Sequence, residues 1–250
     1  CLSRAERDEY LAKTLNTGIA QLMQIRAGLV LSAARDFQPD IVLIDKKPDG
    51  VKHELRPTLE YLKNHQPACR VALVLRDILD APEVTTAAWA KHGFEATLKQ
   101  YFDSILILGD ARVFDAAREY RFSAALRRMV TYCGYARRVA PSRLEANALR
   151  AKLLNGATRL VLVTPGGGQD GWKLVSTYMD AAEHLTGVRS VVVSGPEMPA
   201  ESRSQLHERA ALNPNVKVME FTGEMLTHMA AADAIVSMGG YNTICEILTL

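Results

Sequence analysis

The residues best suited to do chemistry form a glycine-rich segment in the middle of the chain. The sequence LVLVTPGGGQDG at 160–171 runs from an apolar stretch into Gly166, Gly167 and Gly168. Glycines there let the backbone approach a phosphate, whose charge is met by free amides and by the positive end of a following helix. The segment predicts diphosphate binding. A turn selected only for packing explains it less well, because one glycine would be enough.

A second glycine pair repeats this pattern near the end of the printed sequence. In DAIVSMGGYNTICEIL at 233–248, an apolar stretch leads into Gly239 and Gly240 and then into a helix that starts near Tyr241. In an open parallel sheet, ligands bind beyond the carboxyl ends of the strands. Both glycine turns can therefore border one crevice.

Polar side chains follow this second glycine pair. Asn242 and Thr243 would present side-chain donors at the N-terminus of the helix, where an anion is favoured. Glu246, one turn into the helix, could accept hydrogen bonds from the two hydroxyls of a ribose. In the structural alternative, Asn242 or Thr243 caps the helix and Glu246 is a solvated carboxylate near its first turn. The residues alone leave both interpretations open.

The segment GGGQDG also satisfies the dinucleotide pattern GxGxxG, which would bind a nicotinamide or flavin cofactor. That interpretation needs an acidic residue at the end of the next strand, ~20 residues further on. The next apolar stretch ends in VVVSGP without an acid, and Glu197 comes only after the proline. Dinucleotide binding is therefore the weaker alternative.

Apolar and helical stretches alternate along the chain and predict the elements that position these loops. Strands are expected at 39–45, 70–75, 104–109 and 129–135, and again at 159–168, 189–195, 215–221 and 233–240. Helices are expected at 3–37, 53–64, 82–101, 171–184 and 200–211. Such alternation implies parallel βαβ units. The predicted fold class is α/β, with two Rossmann-like parallel-sheet domains that face each other across a cleft.

A change of pattern divides the chain into these two domains. Residues 136–157 combine basic residues and a proline with no strand pattern. We expect a first domain at 1–138, a linker at 139–154 and a second domain at 155–250. The printed sequence opens without Met and closes inside the helical pattern TICEILTL. Both domains are accordingly expected to be incomplete.

Composition excludes several classes of function. Thirty basic residues against 28 acidic ones leave a formal net charge of +2, with no dense basic block, so nucleic acid is not an expected partner. The 4 cysteines are scattered, and none of the 6 histidines pairs at metal-ligand spacing. His228 is interpreted as a surface or core residue. Neither a metal nor a cofactor is expected.

The sequence also indicates the cellular compartment of the protein. No apolar run approaches the ~20 residues that span a bilayer, and a signal-peptide pattern is absent from the printed sequence. The expected location is the cytoplasm, with peripheral contact to the inner face of the membrane as an open alternative.

From Leu160 onward, the motifs follow one another in the order of a known family. The stretch VKVMEFTGEMLTHMAAADAIVSMGGYNTICEIL at 216–248 resembles the donor-binding signature of MurG-like glycosyltransferases, family 28 in its C-terminal domain. These enzymes have the GT-B fold. The resemblance implies transfer of a sugar from a nucleotide-diphosphate sugar, with a UDP-sugar expected first, to an acceptor hydroxyl. It also implies that the transfer is inverting and independent of metal.

The resemblance assigns the donor site to the second domain. It implies that the first glycine loop contacts the diphosphate, that backbone near Phe221 and Thr222 meets the base, and that Glu246 binds ribose. The GGYNT turn would hold diphosphate and sugar. The predicted donor-binding residues are Gly166, Gly167, Gly168, Gln169, Asp170, Phe221, Thr222, Met225, Gly239, Gly240, Tyr241, Asn242, Thr243 and Glu246.

The first domain would be the acceptor side, where the resemblance is weaker and runs through PDIVLIDKKPDG and LRDILDAP. Charged residues follow two of its predicted strands. These candidate acceptor contacts are Asp45, Lys46, Lys47, Arg76, Asp77 and Asp80, with Asp45 and Asp77 as weak candidates for a catalytic base. Loop charges at strand ends are as often only solvated or turn-forming. A base must reach the acceptor hydroxyl, and a sequence does not supply that distance.

Two further interpretations remain open. Water could take the place of the acceptor, which would make the protein a nucleotide-sugar hydrolase or an epimerase of the same fold. Alternatively, the chain is a non-catalytic nucleotide-binding subunit that keeps the glycine-rich pocket. Analysis of the product separates the first alternative from a transferase, and the upstream sequence separates the second.

Overall fold

The computed structural model describes residues 18–250 in full and, of the first 17 residues, only the backbone of two short strands. These strands, β1 (Leu2–Arg4) and β2 (Tyr10–Ala12), pair antiparallel. Helix α1 runs over Ile19–Phe37. The helix predicted from residue 3 is therefore wrong where β1 and β2 lie. A short apolar run is compatible both with the repeat of a helix and with the alternation of a strand, so its spacing does not distinguish the two. Its remaining part before Gly18 lies outside the described residues.

The chain divides into two compact units, Cys1–Tyr135 and Ala136–Leu250. Four parallel strands of the first unit lie side by side in the order β3-β4-β5-β6. Their bounds are β3 (Ile41–Asp45), β4 (Arg70–Arg76), β5 (Ser104–Leu108) and β6 (Val130–Tyr132). The helices that follow α1 are α2 (Arg56–His65), α3 (Pro82–His92), α4 (Phe94–Tyr101), α5 (Ala116–Glu119) and α6 (Ala124–Arg127), with a 3-10 turn at Val51–His53 before α2.

The core of the first unit lies on the two central strands. Leu73 and Leu75 of β4 and Ile105 and Ile107 of β5 are completely buried, as expected for parallel strands that are covered on both faces. One helix was expected at 82–101. The structure has two, because Gly93 adopts a left-handed conformation with a φ of 64° that ends α3.

The second unit repeats the architecture, with the parallel strand order β10-β7-β8-β9. Its strands are β7 (Arg159–Thr164), β8 (Val188–Val193), β9 (Val216–Met219) and β10 (Ala234–Ser237). Its helices are α7 (Arg143–Leu154), α8 (Trp172–Ala182), α9 (Ala200–Ala211), α10 (Met225–Ala231) and α11 (Tyr241–Ile247). Both units are thus α/β and Rossmann-like, which confirms the predicted class of two parallel-sheet domains.

Alternate residues of the second sheet pack on opposite faces. Val163 contacts the side of α8 and α9 through Val175 and Leu206. Leu162, its neighbour, contacts the side of α7 and α10 through Leu153 and Met229. The sheet is therefore covered on both faces, and its loops lie at its edges.

Helix α7 occupies most of the segment 139–154, for which the sequence predicts a linker. Ser142 and Glu145 form a capping box at its start: the Glu145 amide donates to the Ser142 hydroxyl at 3.2 Å and the Ser142 amide donates to the Glu145 carboxylate at 2.8 Å. The helix packs against α10 and β7. The proline and basic residues of this segment therefore mark the start of a helix of the second unit.

Among the described residues, no helix is both long enough and apolar enough to cross a membrane. Nor is there, in the same residues, a group of three or more His, Cys, Asp or Glu side chains arranged to hold a metal ion.

An ion pair at the amino edge of the second sheet gives the first prediction. Asp233 Oδ2 accepts from the Leu160 amide at 2.7 Å and from Arg150 Nη2 at 2.8 Å. These two donors lower the pKa of Asp233. We expect Asp233→Ala to lower the free energy of unfolding by about 1–3 kcal/mol at pH 7, because it removes a charged hydrogen-bond acceptor.

The pH dependence of this contribution follows from the lowered pKa. It is fully present above the unfolded-state pKa of about 3.9 and is lost as the pH falls through the lower folded-state pKa. Urea unfolding of both proteins at pH 7 and at pH 3 measures it. Asp180→Ala is the control, because its exposed pair with Arg209 should contribute less than about 1 kcal/mol. Equal losses in the two variants would contradict the prediction.

Candidate functional site

The loops at the carboxyl edge of the second sheet contain both glycine pairs. Strands β7 and β10 are neighbours, and Thr164 at the end of β7 pairs with Ser237 at the end of β10. Because the strands are parallel, the chain leaves both of them at the same edge. The two glycine turns therefore begin side by side, as ligand binding at such an edge requires.

The three glycines of the first turn differ in their surroundings. A Cβ on Gly168, which has a φ of 96°, would lie only 2.4 Å from the carbonyl oxygen of Ser194. At Gly166 and Gly167 a Cβ would meet nothing within 4 Å, and both residues are exposed. Packing therefore requires a glycine at Gly168, whereas nothing in the fold fills the space beside Gly166 and Gly167.

The loop after β8 supports the first glycine turn. A Cβ on Gly195 would lie 2.4 Å from the carbonyl oxygens of both Gly166 and Gly167, and the Glu197 amide donates to the Gly167 carbonyl at 2.8 Å. The sequence reasoning missed Gly195, although a glycine two residues after the end of β8 was the available sign. Among the described residues, the amides of Gly167 and Gly168 have no acceptor. The loop after β8 thus donates to the Gly167 carbonyl, and the amides of Gly167 and Gly168 stay available.

Helix α8 starts directly behind this turn. Gly171 is its N-cap and supplies no side-chain hydrogen bond to the first turn of the helix. Uncapped amides and the helix dipole together favour an anion at this point. Gln169 and Asp170 are exposed in the same turn. Of these two, Asp170 brings a negative charge that disfavours a phosphate, so its predicted role in donor binding has the least physical support.

The second glycine turn is also open. A Cβ at Gly239 or Gly240 would meet nothing within 4 Å, and the Gly239 amide donates to Ser237 Oγ at 3.2 Å. Gly240 is the N-cap of α11, with no side-chain cap hydrogen bond. The capping alternative for Asn242 and Thr243 is therefore not observed. Tyr241 is the first residue of the helix.

Glu246 is held by an ion pair that the sequence did not indicate. Its side chain is 20% exposed, and Oε1 accepts from Arg138 Nη1 at 3.0 Å. A cavity of about 410 Å³ adjoins Arg138, the partner of Glu246. Its lining residues are Arg138, Val139, Ala140, Pro141, Glu145, Gly223, Glu224, Leu226 and Thr227. Glu246 is thus a half-buried carboxylate oriented by Arg138 rather than a solvated one.

The residues after β9 have mixed environments. Phe221 is 68% exposed, and Thr222 Oγ1 accepts from the Glu224 amide at 3.1 Å. Met225 packs against the core with Met229, so its side chain is turned towards the protein interior. His228 is buried, with Nδ1 at 3.0 Å from the Glu224 carbonyl oxygen, which is the environment of a core histidine.

Of the acceptor-side residues, Asp77 has the best-defined environment. It is buried, its Oδ1 accepts from the Ile78 amide at 2.7 Å, and its Oδ2 accepts from the Tyr135 hydroxyl at 2.6 Å. A Cβ on Gly109 would lie 2.5 Å from Asp77 Cβ. Both oxygens are therefore occupied in holding the loop, which does not favour a catalytic base.

The other acceptor-side residues lie at strand ends as predicted from the sequence. Asp45 and Arg76 are the last residues of β3 and β4, and both are exposed. Lys46 adopts a left-handed φ of 64°. Asp80 Oδ1 accepts from the Ala81 amide at 2.8 Å just before α3, which is a turn-forming role.

A histidine–carboxylate pair that the sequence reasoning missed lies in the same region of the first unit. His53 Nδ1 is hydrogen-bonded to Oδ2 of Asp49, whose side chain is 1% exposed. The two residues are four positions apart. A search for carboxylates near each histidine, instead of for metal-ligand pairs, would have found them.

Comparison with known proteins bears on the family and on the fold. Residues 160–250 match the model of the glycosyltransferase family 28 C-terminal domain, which confirms the resemblance inferred from the motifs. A sequence search finds no match among curated proteins.

Solved structures have the same fold. The glycotransferase of kitacinnamycin superposes with a TM-score of 0.52 at 16% identity over 94% of this chain and 63% of that one. Anabaena HepE, crystallised with UDP and glucose, gives 0.53 at 14% identity over 89% and 58%. UDP-GlcNAc 2-epimerase from Neisseria meningitidis, bound to UDP-GlcNAc, gives 0.52 at 10% identity over 91% and 62%.

At these identities the likeness shows the fold, and the chain spans less than two thirds of each of these structures. The family match is confined to the second unit, where the two glycine turns and Glu246 lie. Residues 160–250 of this chain are therefore similar to the glycosyltransferase family 28 C-terminal domain.

Proposed function

We propose that the chain forms the greater part of a glycosyltransferase that moves a sugar from a nucleotide-diphosphate sugar, first of all a UDP-sugar, to an acceptor hydroxyl. The observation that carries the proposal is the pair of open glycine turns after the neighbouring strands β7 and β10. The family match over 160–250 supports it. In this proposal, the second unit binds the donor and the first unit binds the acceptor.

The diphosphate binds at the first glycine turn. The amides of Gly167 and Gly168 donate to its oxygens, and the N-terminus of α8 adds its dipole. Gly239 and Gly240 leave room for the rest of the diphosphate and for the sugar. When the bond to the sugar breaks, charge grows on the diphosphate, and these fixed donors stabilise it in the transition state. The transfer accordingly needs no metal ion to balance the leaving group.

The nucleoside binds beside α11. Glu246 accepts from the ribose hydroxyls, and the base enters the adjoining cavity of about 410 Å³, a volume in the usual range for small-molecule sites. Arg138 orients the Glu246 carboxylate through their ion pair. The acceptor oxygen attacks the anomeric carbon opposite the leaving diphosphate, which inverts its configuration. Positioning of the two substrates supplies much of the rate.

A calorimetric panel of UDP, GDP, dTDP and NAD tests the donor site. We expect one nucleoside diphosphate, UDP in the first place, to bind more tightly than the others. Binding of NAD alone would favour the dinucleotide alternative. Absence of binding by all four would contradict the proposal.

The Glu246→Ala variant tests the ribose contact. We expect UDP affinity to fall by about 1–3 kcal/mol, because the ribose hydroxyls lose a charged acceptor. Calorimetry measures the loss, and Glu201→Ala, an exposed carboxylate of the same unit, is the matched control. Arg138→Ala removes the ion pair but keeps the carboxylate. If it lowered the affinity as much as Glu246→Ala does, the ion pair rather than the ribose contact would be responsible.

An epimerase is the second candidate function, because UDP-GlcNAc 2-epimerase from Neisseria meningitidis has the same TM-score of 0.52 as the kitacinnamycin glycotransferase. Both functions would use the same donor site. Incubation with UDP-GlcNAc and analysis of the sugar separate them: an epimerase changes the sugar without an acceptor, whereas a transferase releases UDP in proportion to the acceptor glycosylated.

A further inference from the structure

Arg203 lies on helix α9 of the second unit and contacts the loop that follows β8. Its Nη2 donates to the carbonyl oxygens of Pro196 at 3.2 Å and of Met198 at 3.0 Å. Its Nη1 pairs with Glu220 Oε1 at 2.8 Å. We call residues 194–198 the support loop, and two of the three contacts of this guanidinium lie on it.

The two halves of the support loop are held in different ways. In the first half, the Ser194 amide donates to the Met219 carbonyl at 2.9 Å, so the backbone is tied to the end of β9. In the second half, Pro196 has no amide to donate. Within the described part of the chain, the carbonyl groups of Pro196 and Met198 accept from Arg203 and from no other group. The position of the second half therefore depends on Arg203.

This second half carries the first glycine turn. The Glu197 amide donates to the Gly167 carbonyl at 2.8 Å, and in the sequence Glu197 lies between the two carbonyl groups that Arg203 holds. A Cβ on Gly168 would lie only 3.0 Å from the Met198 amide nitrogen. Because the loop and the turn are in close contact, a shift of the loop moves the turn as well.

The bond from Glu197 also orients a donor of the proposed diphosphate site. The Gly167 carbonyl and the Gly168 amide belong to one planar trans peptide group, in which C=O and N–H point in opposite directions. Since the carbonyl points at the support loop, the Gly168 amide points away from it. The support loop thus fixes the direction in which this amide can donate.

We infer that Arg203 is a positioning residue of the diphosphate site. It fixes the support loop, the loop fixes the Gly167 carbonyl, and the shared peptide plane aims the Gly168 amide at the phosphate oxygens. The inference rests on the proposed function and involves the second unit alone. Arg203 does not touch the ligand in this arrangement, so its effect should fall on the phosphates and not on the nucleoside.

Arg209 provides a matched control on the same helix. Its side chain is 28% exposed and that of Arg203 is 27% exposed. Arg209 also contacts a carbonyl oxygen, that of Ser176 at 3.3 Å, and a carboxylate, that of Asp180 at 2.7 Å. These partners lie on α8 and not on the support loop. The two arginines therefore have partners of the same kinds and differ in the segment that they hold.

Amide hydrogen exchange followed by NMR tests the positioning without any ligand. The Glu197 amide should exchange about 10-fold faster in Arg203→Ala than in wild type, because its loop is held less firmly. Arg209→Ala should leave this rate unchanged. Equal exchange of the Glu197 amide in Arg203→Ala and wild type would overturn the inference, whether or not the chain binds UDP.

Calorimetry with UDP and with uridine tests the consequence for binding. Arg203→Ala should weaken UDP binding about 10-fold, since one charge-assisted hydrogen bond is misaligned, and should leave uridine binding nearly unchanged. Arg203→Lys, which keeps a donor for one carbonyl, should restore part of the affinity. Arg209→Ala should bind UDP like wild type. Unchanged UDP binding by Arg203→Ala, or equal losses of UDP and uridine, would overturn the inference.

The Glu220→Gln variant separates the support loop from the ion pair. It removes the charged partner of Arg203 and keeps both carbonyl contacts, so UDP affinity should stay within about 2-fold of wild type. A loss as large as that of Arg203→Ala would assign the effect to the ion pair and overturn the inference. A wild-type chain that bound no UDP would instead contradict the proposed function, and the exchange rate of Glu197 would still decide the positioning.

Discussion

The Gly167→Val variant should lose UDP binding without losing stability. Gly167 is exposed, its φ is in the ordinary range, and a Cβ there would meet nothing within 4 Å. The fold therefore tolerates valine. A diphosphate does not, because the branched side chain would occupy the space from which the oxygens reach the amides of Gly167 and Gly168. We expect affinity to fall about 100-fold or more, corresponding to about 3 kcal/mol of charge-assisted hydrogen bonding.

Calorimetry with UDP and with uridine measures this effect. Uridine lacks the phosphates, so its binding should change little. The stability of the second unit can be followed by the fluorescence of Trp172, since the chain has only 2 tryptophans and Trp89→Phe removes the one in the first unit. Equal loss of uridine and UDP, or a lower unfolding midpoint, would point to misfolding and contradict the prediction.

The Gly195→Ala variant should strongly destabilise the second unit. Gly195 has a φ of 84°, and a Cβ there would lie 2.4 Å from two carbonyl oxygens of the first glycine turn. An L-residue in this conformation costs about 1–2 kcal/mol, and overpacking adds about 1–3 kcal/mol. We therefore expect the free energy of unfolding to fall by about 2–5 kcal/mol. UDP binding should weaken as well, because the backbone shift moves the amides that bind the diphosphate.

Urea unfolding followed by Trp172 fluorescence measures this loss. The matched control is Gly223→Ala: no positive φ is present at Gly223, and a Cβ there would meet nothing within 4 Å. That variant should differ from wild type by less than about 0.5 kcal/mol. If both variants were equally stable, the close approach of the two loops would not limit stability.

Much of the fold was predictable because it depends on local pattern. Apolar runs such as RVALVL and RLVLVT are buried on both faces of parallel sheets, and each predicted strand from residue 39 onward is present within a few residues. The first glycine turn was also predictable, since a strand followed by glycines and a helix is a local feature. Local pattern did not reveal two elements. Residues 139–154, predicted as a linker, contain most of helix α7 with its capping box. The apolar spacing around Leu11 predicted a helix, whereas Leu11 lies in strand β2.

The details of the site depend on contacts between distant residues, which spacing does not reveal. Arg138 and Glu246 are 108 positions apart, and neither residue type indicates the other. Gly168 and Gly195 are essential for packing only because two loops approach each other closely. The pair of Asp49 and His53 is local, but its meaning depends on the burial of Asp49, which a charged loop sequence does not suggest.

The unequal surroundings of the glycines have a consequence for a library of random variants of this chain. Selection for cellular abundance alone would retain substitutions at Gly167 far more readily than at Gly168 or Gly195, since only the latter two combine a positive φ with backbone atoms within 2.4 Å of a Cβ. A second selection, by capture on an immobilised nucleotide, would then remove the Gly167 variants as well. The difference between the two surviving populations would outline the ligand-contacting backbone without any structure of a complex.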